Sequence, residues 1–185
     1  EEDNEAISSP VPPPPLNLIP EPPPQTWRCV HAIAGHADWV SAVAIAPDAQ
    51  TFVSSSFDQT IKVWNLRTGE RIRLLCDRAG EIYAIALSQD GKTLASGGSD
   101  QTIKLWDLGA GQLIYTFWEY SGSIRSVALS PITPSTSKHG RILATGNFDH
   151  TVKLWHLETR ELIDTLTGHS GAVSAIAFSP LSSTQ

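Results

Sequence analysis

One pattern, written three times, constrains this chain more than anything else in it. SSSFDQTIKVWNL (Ser54–Leu66) returns as SGGSDQTIKLWDL (Ser96–Leu108) and again as TGNFDHTVKLWHL (Thr145–Leu157). Trp64 and Trp106 stand 42 residues apart, and Trp106 and Trp155 stand 49 apart. A recurring period of this length marks stacked or radial units, each too small to bury its own apolar face. The seven extra residues of the second interval fall within ITPSTSKHG (Ile132–Gly140), a polar loop sequence.

Each unit reads as four short strands. WVSAVAIAP (Trp39–Pro47) alternates and is rich in Val and Ile, and TFVSSSF (Thr51–Phe57) follows the turn residues DAQ. A turn at Asp58 leads to TIKVWNL, then the hairpin RTGE (Arg67–Glu70), then RIRLLC (Arg71–Cys76). Regular short strands separated by turn residues are an all-β pattern. Within TIKLW, Ile103 and Leu105 share one face while Lys104 and Trp106 share the other. A face that carries a tryptophan is not a wet one, so both faces are expected to be covered, sheet against sheet.

These residues resemble the WD40-repeat β-propeller family, in its regular, bacterial-type form. The resemblance covers about residues 27–180 and rests on Gly35–His36 and Gly168–His169, on Asp58, Asp100 and Asp149 six residues before each tryptophan, and on Trp106–Asp107. It implies a propeller of three complete four-stranded blades, about 39–76, 81–118 and 123–167, with partial strands at both ends. Arg28–Ala34 would be an outer strand and 172–180 the start of a fourth blade. The ring is incomplete, and the chain, which holds no methionine, is expected to be an excerpt. Residues outside it, rather than self-association, would then complete the ring.

In this family a His, a Ser or Thr, an Asp and a Trp form a hydrogen-bonded tetrad within each blade. The resemblance gives the first blade His36, Ser54, Asp58 and Trp64. The second has Ser96, Asp100 and Trp106, with Arg78 at the His position; an Arg78–Asp100 pair is the expected substitute. The third has Thr145, Asp149 and Trp155, with Tyr120 at the His position as a single donor. Ser, His and Asp are also the residue types of a hydrolytic triad. A catalytic set is built once, however, while this Ser and Asp recur and the His does not, and no Gly-x-Ser-x-Gly elbow exposes the serine. The tetrads are therefore read as structural and the chain as a non-enzyme.

Charge and composition narrow the partner. The net charge is −6, of which residues 1–26 carry −5 through Glu1, Glu2, Asp3, Glu5 and Glu21. The rest is nearly neutral, which gives a phosphate backbone nothing to hold. Residues 1–26 also contain nine of the 13 prolines and read as a disordered, semi-rigid linker. No apolar run is long enough for a membrane span. Two cysteines do not make a disulfide framework; Cys76 lies in a hydrophobic run and is read as a small core residue. The histidines are scattered, without metal spacing. No cofactor, metal, nucleic acid or membrane is expected.

Function is expected on the top face of the propeller. The resemblance places three contact positions per blade there: Trp39, Ser41 and Phe57; Glu81, Tyr83 and Ser99; Ser123, Arg125 and Phe148. Aromatic residues and Arg dominate interface energetics; the competing reading packs Phe57 and Phe148 beneath neighbouring loops. The expected function is a non-catalytic, cytoplasmic interaction scaffold for a protein or peptide. The alternative is a regulatory or sensory appendage of an enzyme encoded upstream.

Overall fold

A computed structural model describes residues 28–76, 78–120, 122–131 and 140–179. The linker read at 1–26, and all but Gly140 of the loop read at Ile132–Gly140, lie outside these residues. The chain divides into two units, 1–32 and 33–185. In the first, the described residues 28–32 hold neither helix nor strand.

The second unit is three antiparallel sheets of four strands. β1 (Val40–Ile45), β2 (Thr51–Ser56), β3 (Thr60–Asn65) and β4 (Arg71–Cys76) make the first sheet, in chain order. β5 (Ile82–Leu87), β6 (Thr93–Gly98), β7 (Thr102–Asp107) and β8 (Gln112–Trp118) make the second. β9 (Ile124–Leu129), β10 (Ile142–Asn147), β11 (Val152–His156) and β12 (Leu162–Leu166) make the third. Each β2–β3-type hairpin turns at its Asp. The Asp58, Asp100 and Asp149 carboxylates accept the N–H of Thr60, Thr102 and Thr151, and the residue after each Asp takes a positive φ.

The core lies between sheets. Val53, Ile61 and Val63 of the first sheet meet Ile82, Leu94 and Trp106 of the second. Ile103, Leu105 and Phe117 of the second meet Ile124, Leu143 and Trp155 of the third. Each fully buried Ile or Leu contributes about 1.5–3 kcal/mol. The approach is close: a Cβ on Gly97 would come within 2.5 Å of Ile124 Cγ2, so that position admits no side chain. The middle sheet is covered on both faces, as the Lys104–Trp106 alternation requires. The outward faces of the first and third sheets are not, and Val43, Ile45, Leu162 and Ile163 are exposed.

Three expectations are corrected. Cys76 is exposed, because the alternation along β4 turns Leu75 inward and Cys76 outward. Residues 28–36 form no strand. Residues 171–179 form none either; they are tethered by the Val173 N–H to the Asn147 carbonyl at 3.0 Å and by the Ile176 N–H to Ser126 Oγ at 2.9 Å. A strand needs a hydrogen-bonded ladder, and two tethers do not make one.

A bulge recurs where each sheet begins. The β1–β2 register steps from Val40 to Ala42, β5–β6 from Ile82 to Ala84, and β9–β10 from Ile124 to Ser126. The residues left over are Ser41, Tyr83 and Arg125. A bulge frees a side chain from strict alternation and re-aims it.

Candidate functional site

Two constellations compete for a functional role: the polar networks inside the sheets and the aromatic face at the bulges.

The first network is closed. His36 Nε2 lies 2.7 Å from Ser54 Oγ, and His36 Nδ1 lies 2.9 Å from Asp58 Oδ2. The Trp64 indole donates to Ser54 Oγ at 2.8 Å. One tautomer satisfies the chain, with Nδ1–H donating to Asp58 and Nε2 accepting from Ser54. Burial pushes the Asp58 carboxyl up, but donation from the Thr60 hydroxyl, the Ala37 N–H and His36 outweighs it and holds the group well below the usual carboxylate range. Lys62, four residues beyond Asp58 on the same hairpin, donates to the Gly35 carbonyl and reaches Asp58 at 3.5 Å.

The second network lacks its His yet keeps its clamp. The Trp106 indole donates to Ser96 Oγ at 2.9 Å. Arg78 is exposed, with φ of 55°, and does not pair with Asp100 as expected. Lys104 does so instead, together with Thr102. Lys104 stands on the Trp106 face and reaches the carboxylate from within the sheet, whereas Arg78 would have to reach it from a solvent-facing turn. Burial raises the Asp100 pKa, and the Lys104 and Thr102 contacts lower it further than that, for a net decrease.

The third network is rebuilt. Tyr120 is 82% exposed, with φ of 51°, and stacks on Trp118 rather than entering the sheet. The preceding residue, Glu119, goes in. Its Oε1 accepts from the Thr145 hydroxyl at 2.8 Å and from Asn147 Nδ2 at 2.6 Å. Lys153 Nζ lies 3.8 Å from Oε1. Burial dominates and raises the Glu119 pKa despite these partners. Asp149 is exposed, and among the described residues its hydrogen bonds are the turn bonds to Thr151. Among the described residues, the buried polar side-chain atoms without a partner are Glu119 Oε2, Asn147 Oδ1 and Trp155 Nε1. Glu119 occupies the place of Gly35 in the first sheet, where any Cβ would collide with the Trp64 indole. In the third blade the indole of Trp155 packs beside Phe117, with ring centroids 5.5 Å apart.

The aromatic face crosses all three sheets. Trp39 and Phe57 lie 5.8 Å apart between ring centroids, and Phe57 and Tyr83 5.4 Å apart. The Arg125 guanidinium sits 4.5 Å from the Tyr83 ring centroid and 5.5 Å from that of Phe148. Trp39 is 75% exposed and Phe148 56%, while Phe57 is half-buried between its neighbours. The backbone repeats the arrangement. The Phe57, Ser99 and Phe148 N–H groups donate to the carbonyls of Trp39, Glu81 and Ser123 at 3.0, 2.9 and 2.9 Å. Ser41 is turned inward to Ser55 Oγ at 2.9 Å. The Tyr83 hydroxyl donates to Glu81 Oε2 at 2.7 Å, and Ser99 bonds the same phenol. The Glu81 bond, with burial and the Glu81 charge, raises the Tyr83 pKa and keeps its proton in place. A groove of about 310 Å³ runs along Trp39, Val40, Phe57 and Tyr83 to Arg125.

Four stretches of the chain, residues 27–65, 69–107, 111–156 and 160–184, match the family model described as WD domain, G-beta repeat. The chain belongs to the WD40 family. Its sheets are blades of a WD40 β-propeller, three of them, not closed into a ring. The chain is similar to pre-mRNA-splicing factor prp46 of Emericella nidulans, 44% identical over 43 residues. That stretch is 23% of this chain and 10% of the relative. It is also similar to pleiotropic regulator 1 of Homo sapiens, 43% identical over 44 residues, or 24% of this chain and 9% of that one. Two solved structures, those of U3-55K and of the RRP9 WD40 repeats, match with TM-scores of 0.71 and 0.70 at 26% and 27% identity. Both matches cover 78% of this chain, and they cover 44% and 43% of the solved chains.

Sequence reasoning missed Lys62, Lys104, Lys153 and Glu119. The lysines were legible, because each stands two residues before its Trp and therefore on the Trp face. Glu119 was not, because the motif points to its neighbour. Among the described residues no group of His, Cys, Asp and Glu is arranged to hold a metal ion, and no helix is long and apolar enough to cross a membrane.

Proposed function

We propose that this chain is a non-catalytic scaffold that holds a protein or peptide on the face running from Trp39 to Phe148. The observation that carries the reading is the unbroken contact series Trp39–Phe57–Tyr83–Arg125–Phe148, which spans three blades and stays open to solvent. Large rigid side chains in a shallow groove supply contact area at low ordering cost. The near-neutral repeat region supports a protein rather than a nucleic-acid partner. Cytoplasmic placement goes with this reading, since two free, exposed cysteines suit a reducing compartment.

The alternative use of the first blade, hydrolysis by Ser54, His36 and Asp58, meets the distances of a triad but not its chemistry. Ser54 is buried and its hydroxyl also accepts from Trp64. Blade two keeps the same Ser–Trp bond with no His at all, so the bond does not serve a base.

A photo-crosslinking residue at Val40 or Ser99, compared with one at Thr68 in the β3–β4 turn at the other end of the blade, tests the face. Adducts at Val40 and Ser99 that vanish with Trp39→Ala are expected, whereas adducts at Ser99 alone with no effect of Trp39→Ala are not. Adducts confined to Thr68, or indifferent to Trp39→Ala, would reject the reading.

A further inference from the structure

We propose that Arg125 is the anchor for an acidic side chain, Asp or Glu, on the bound peptide, whose apolar neighbour lies in the groove beside Trp39 and Phe57. This rests on the reading that the face holds a peptide, and it adds the chemistry that the peptide must carry.

Arg125 is held unusually well for an exposed arginine. It is the bulged residue of β9, so the backbone re-aims it out of the strand alternation. Tyr83 and Phe148 then brace the guanidinium, with its central carbon 4.5 and 5.5 Å from their ring centroids. The rings offer the cation a π face rather than an oxygen acceptor for its N–H groups. Among the described residues no hydrogen bond or ion pair reaches that guanidinium. The nearby acid, Glu81, is engaged with the Tyr83 hydroxyl at 2.7 Å instead. The result is a fork of donors whose ordering cost is largely met before any ligand arrives. A carboxylate matches such a fork with two parallel hydrogen bonds.

The surroundings favour a carboxylate over a phosphate. Arg125 is the one cation among the residues lining the groove, and Glu81, bonded to the Tyr83 hydroxyl, adds a negative charge to the same face. A doubly charged phosphate would exceed the single charge of the guanidinium and meet more repulsion from Glu81 than a carboxylate, which matches the guanidinium charge one for one. The groove, at about 310 Å³, has room for the apolar side chains that flank the acid. Its walls at Trp39, Val40 and Phe57 are apolar, and Arg125 lies at one end, which sets the direction in which the peptide runs.

The test uses an array of synthetic octapeptides, each made with Glu, Gln or phosphoserine at one position between apolar residues, titrated against the full chain. The Glu peptides are expected to bind about tenfold or more tightly than their Gln counterparts, a difference expected of one charge-assisted pair. Arg125→Gln should erase the preference, Arg125→Lys should reduce it, and added salt should narrow it. Matching thermal unfolding of Arg125→Gln and the parent chain shows that the fold is retained. Glu and Gln peptides bound equally, yet weakened by Trp39→Ala, would overturn this proposal and leave the face standing. Binding by phosphoserine peptides alone would overturn the choice of carboxylate. Binding that ignores Trp39→Ala altogether would remove the face and this proposal with it.

Discussion

The first and third blades are built on the same pattern and close it differently. In the first, His36, Ser54, Asp58, Lys62 and Trp64 satisfy one another. In the third, Thr145 and Trp155 keep their places, but a buried carboxylate replaces the imidazole and three polar atoms go without partners. The third blade gains apolar contact instead, since Trp155 packs on Phe117 of the second blade and Phe117 meets Tyr115 at 4.9 Å. A repeat therefore fixes the steric slots, the strand register and the indole position more firmly than it fixes the hydrogen-bond chemistry. The same geometry can be held by a polar rivet or by packing around an imperfectly paired charge.

The tryptophans give the largest test of this contrast. Trp64→Ala and Trp155→Ala should each cost about 3–5 kcal/mol, because both indoles are buried and the cavity dominates. The phenylalanine variants should separate them. Trp64→Phe also removes a donor from Ser54 and should cost about 1 kcal/mol more than Trp155→Phe, whose indole N–H has no partner to lose. Urea unfolding of the four variants measures this, and equal costs for the two Phe variants would break the comparison.

Next come the positions the family pattern treats as equivalent. His36→Ala should cost about 1–3 kcal/mol by orphaning Ser54 and Asp58. Tyr120→Ala should stay within about 0.5 kcal/mol, since Tyr120 lies on the surface. Asp58→Ala should likewise cost about 1–3 kcal/mol, and Asp149→Ala about 0.5–1, for the turn bonds alone. If Tyr120→Ala proved as costly as His36→Ala, Tyr120 would be part of the network after all.

These pairs also mark how far the sequence could be read. Strands, turns and inter-sheet packing follow from period, alternation and Asp placement, and the three sheets stand where those signals put them. The aromatic face was legible as a set of positions but not as a contact series, because contact depends on a bulge that freed Ser41, Tyr83 and Arg125 from alternation. The third network was misread for a steric reason. Alignment puts Tyr120 opposite His36, but a bulky ring at φ of 51° points away, and its neighbour Glu119 enters instead. A one-residue exchange of inward and outward is invisible to spacing. The outer position of Cys76 was legible from alternation along β4 and was obscured by the hydrophobic run around it.

Acid should move the two blades in opposite directions. The Asp58 pKa is depressed on folding, so its contribution is present above the ordinary value of 3.8 and is lost as pH falls through the folded value. The Glu119 pKa is raised, so its contribution is full below the ordinary 4.5 and is lost as pH rises through the folded value. As pH is lowered through the raised Glu119 value toward 4.5, native-state hydrogen exchange should therefore show β10 and β11 gaining protection while β2 and β3 hold theirs. Below 3.8 the first blade should begin to loosen. Parallel changes in both blades would mean that Glu119 does not set the response of the third.

Glu119→Gln makes the smallest change and isolates the cause. Glutamine keeps an oxygen for Thr145 and Asn147 Nδ2, and its amide can donate to Asn147 Oδ1, the acceptor now unpartnered. Lys153 loses its carboxylate at 3.8 Å but keeps the Glu119 backbone carbonyl at 3.2 Å. Removing the buried charge and weakening the lysine pair pull against each other, so stability near neutral pH should change by no more than about 1 kcal/mol. What should change is the slope: β10 and β11 should no longer gain protection on acidification, because no proton remains to be taken up there. A loss of about 3–5 kcal/mol would instead mean that Glu119 and Lys153 form a strong buried ion pair. The third blade would then be held by a polar rivet as firm as that of the first.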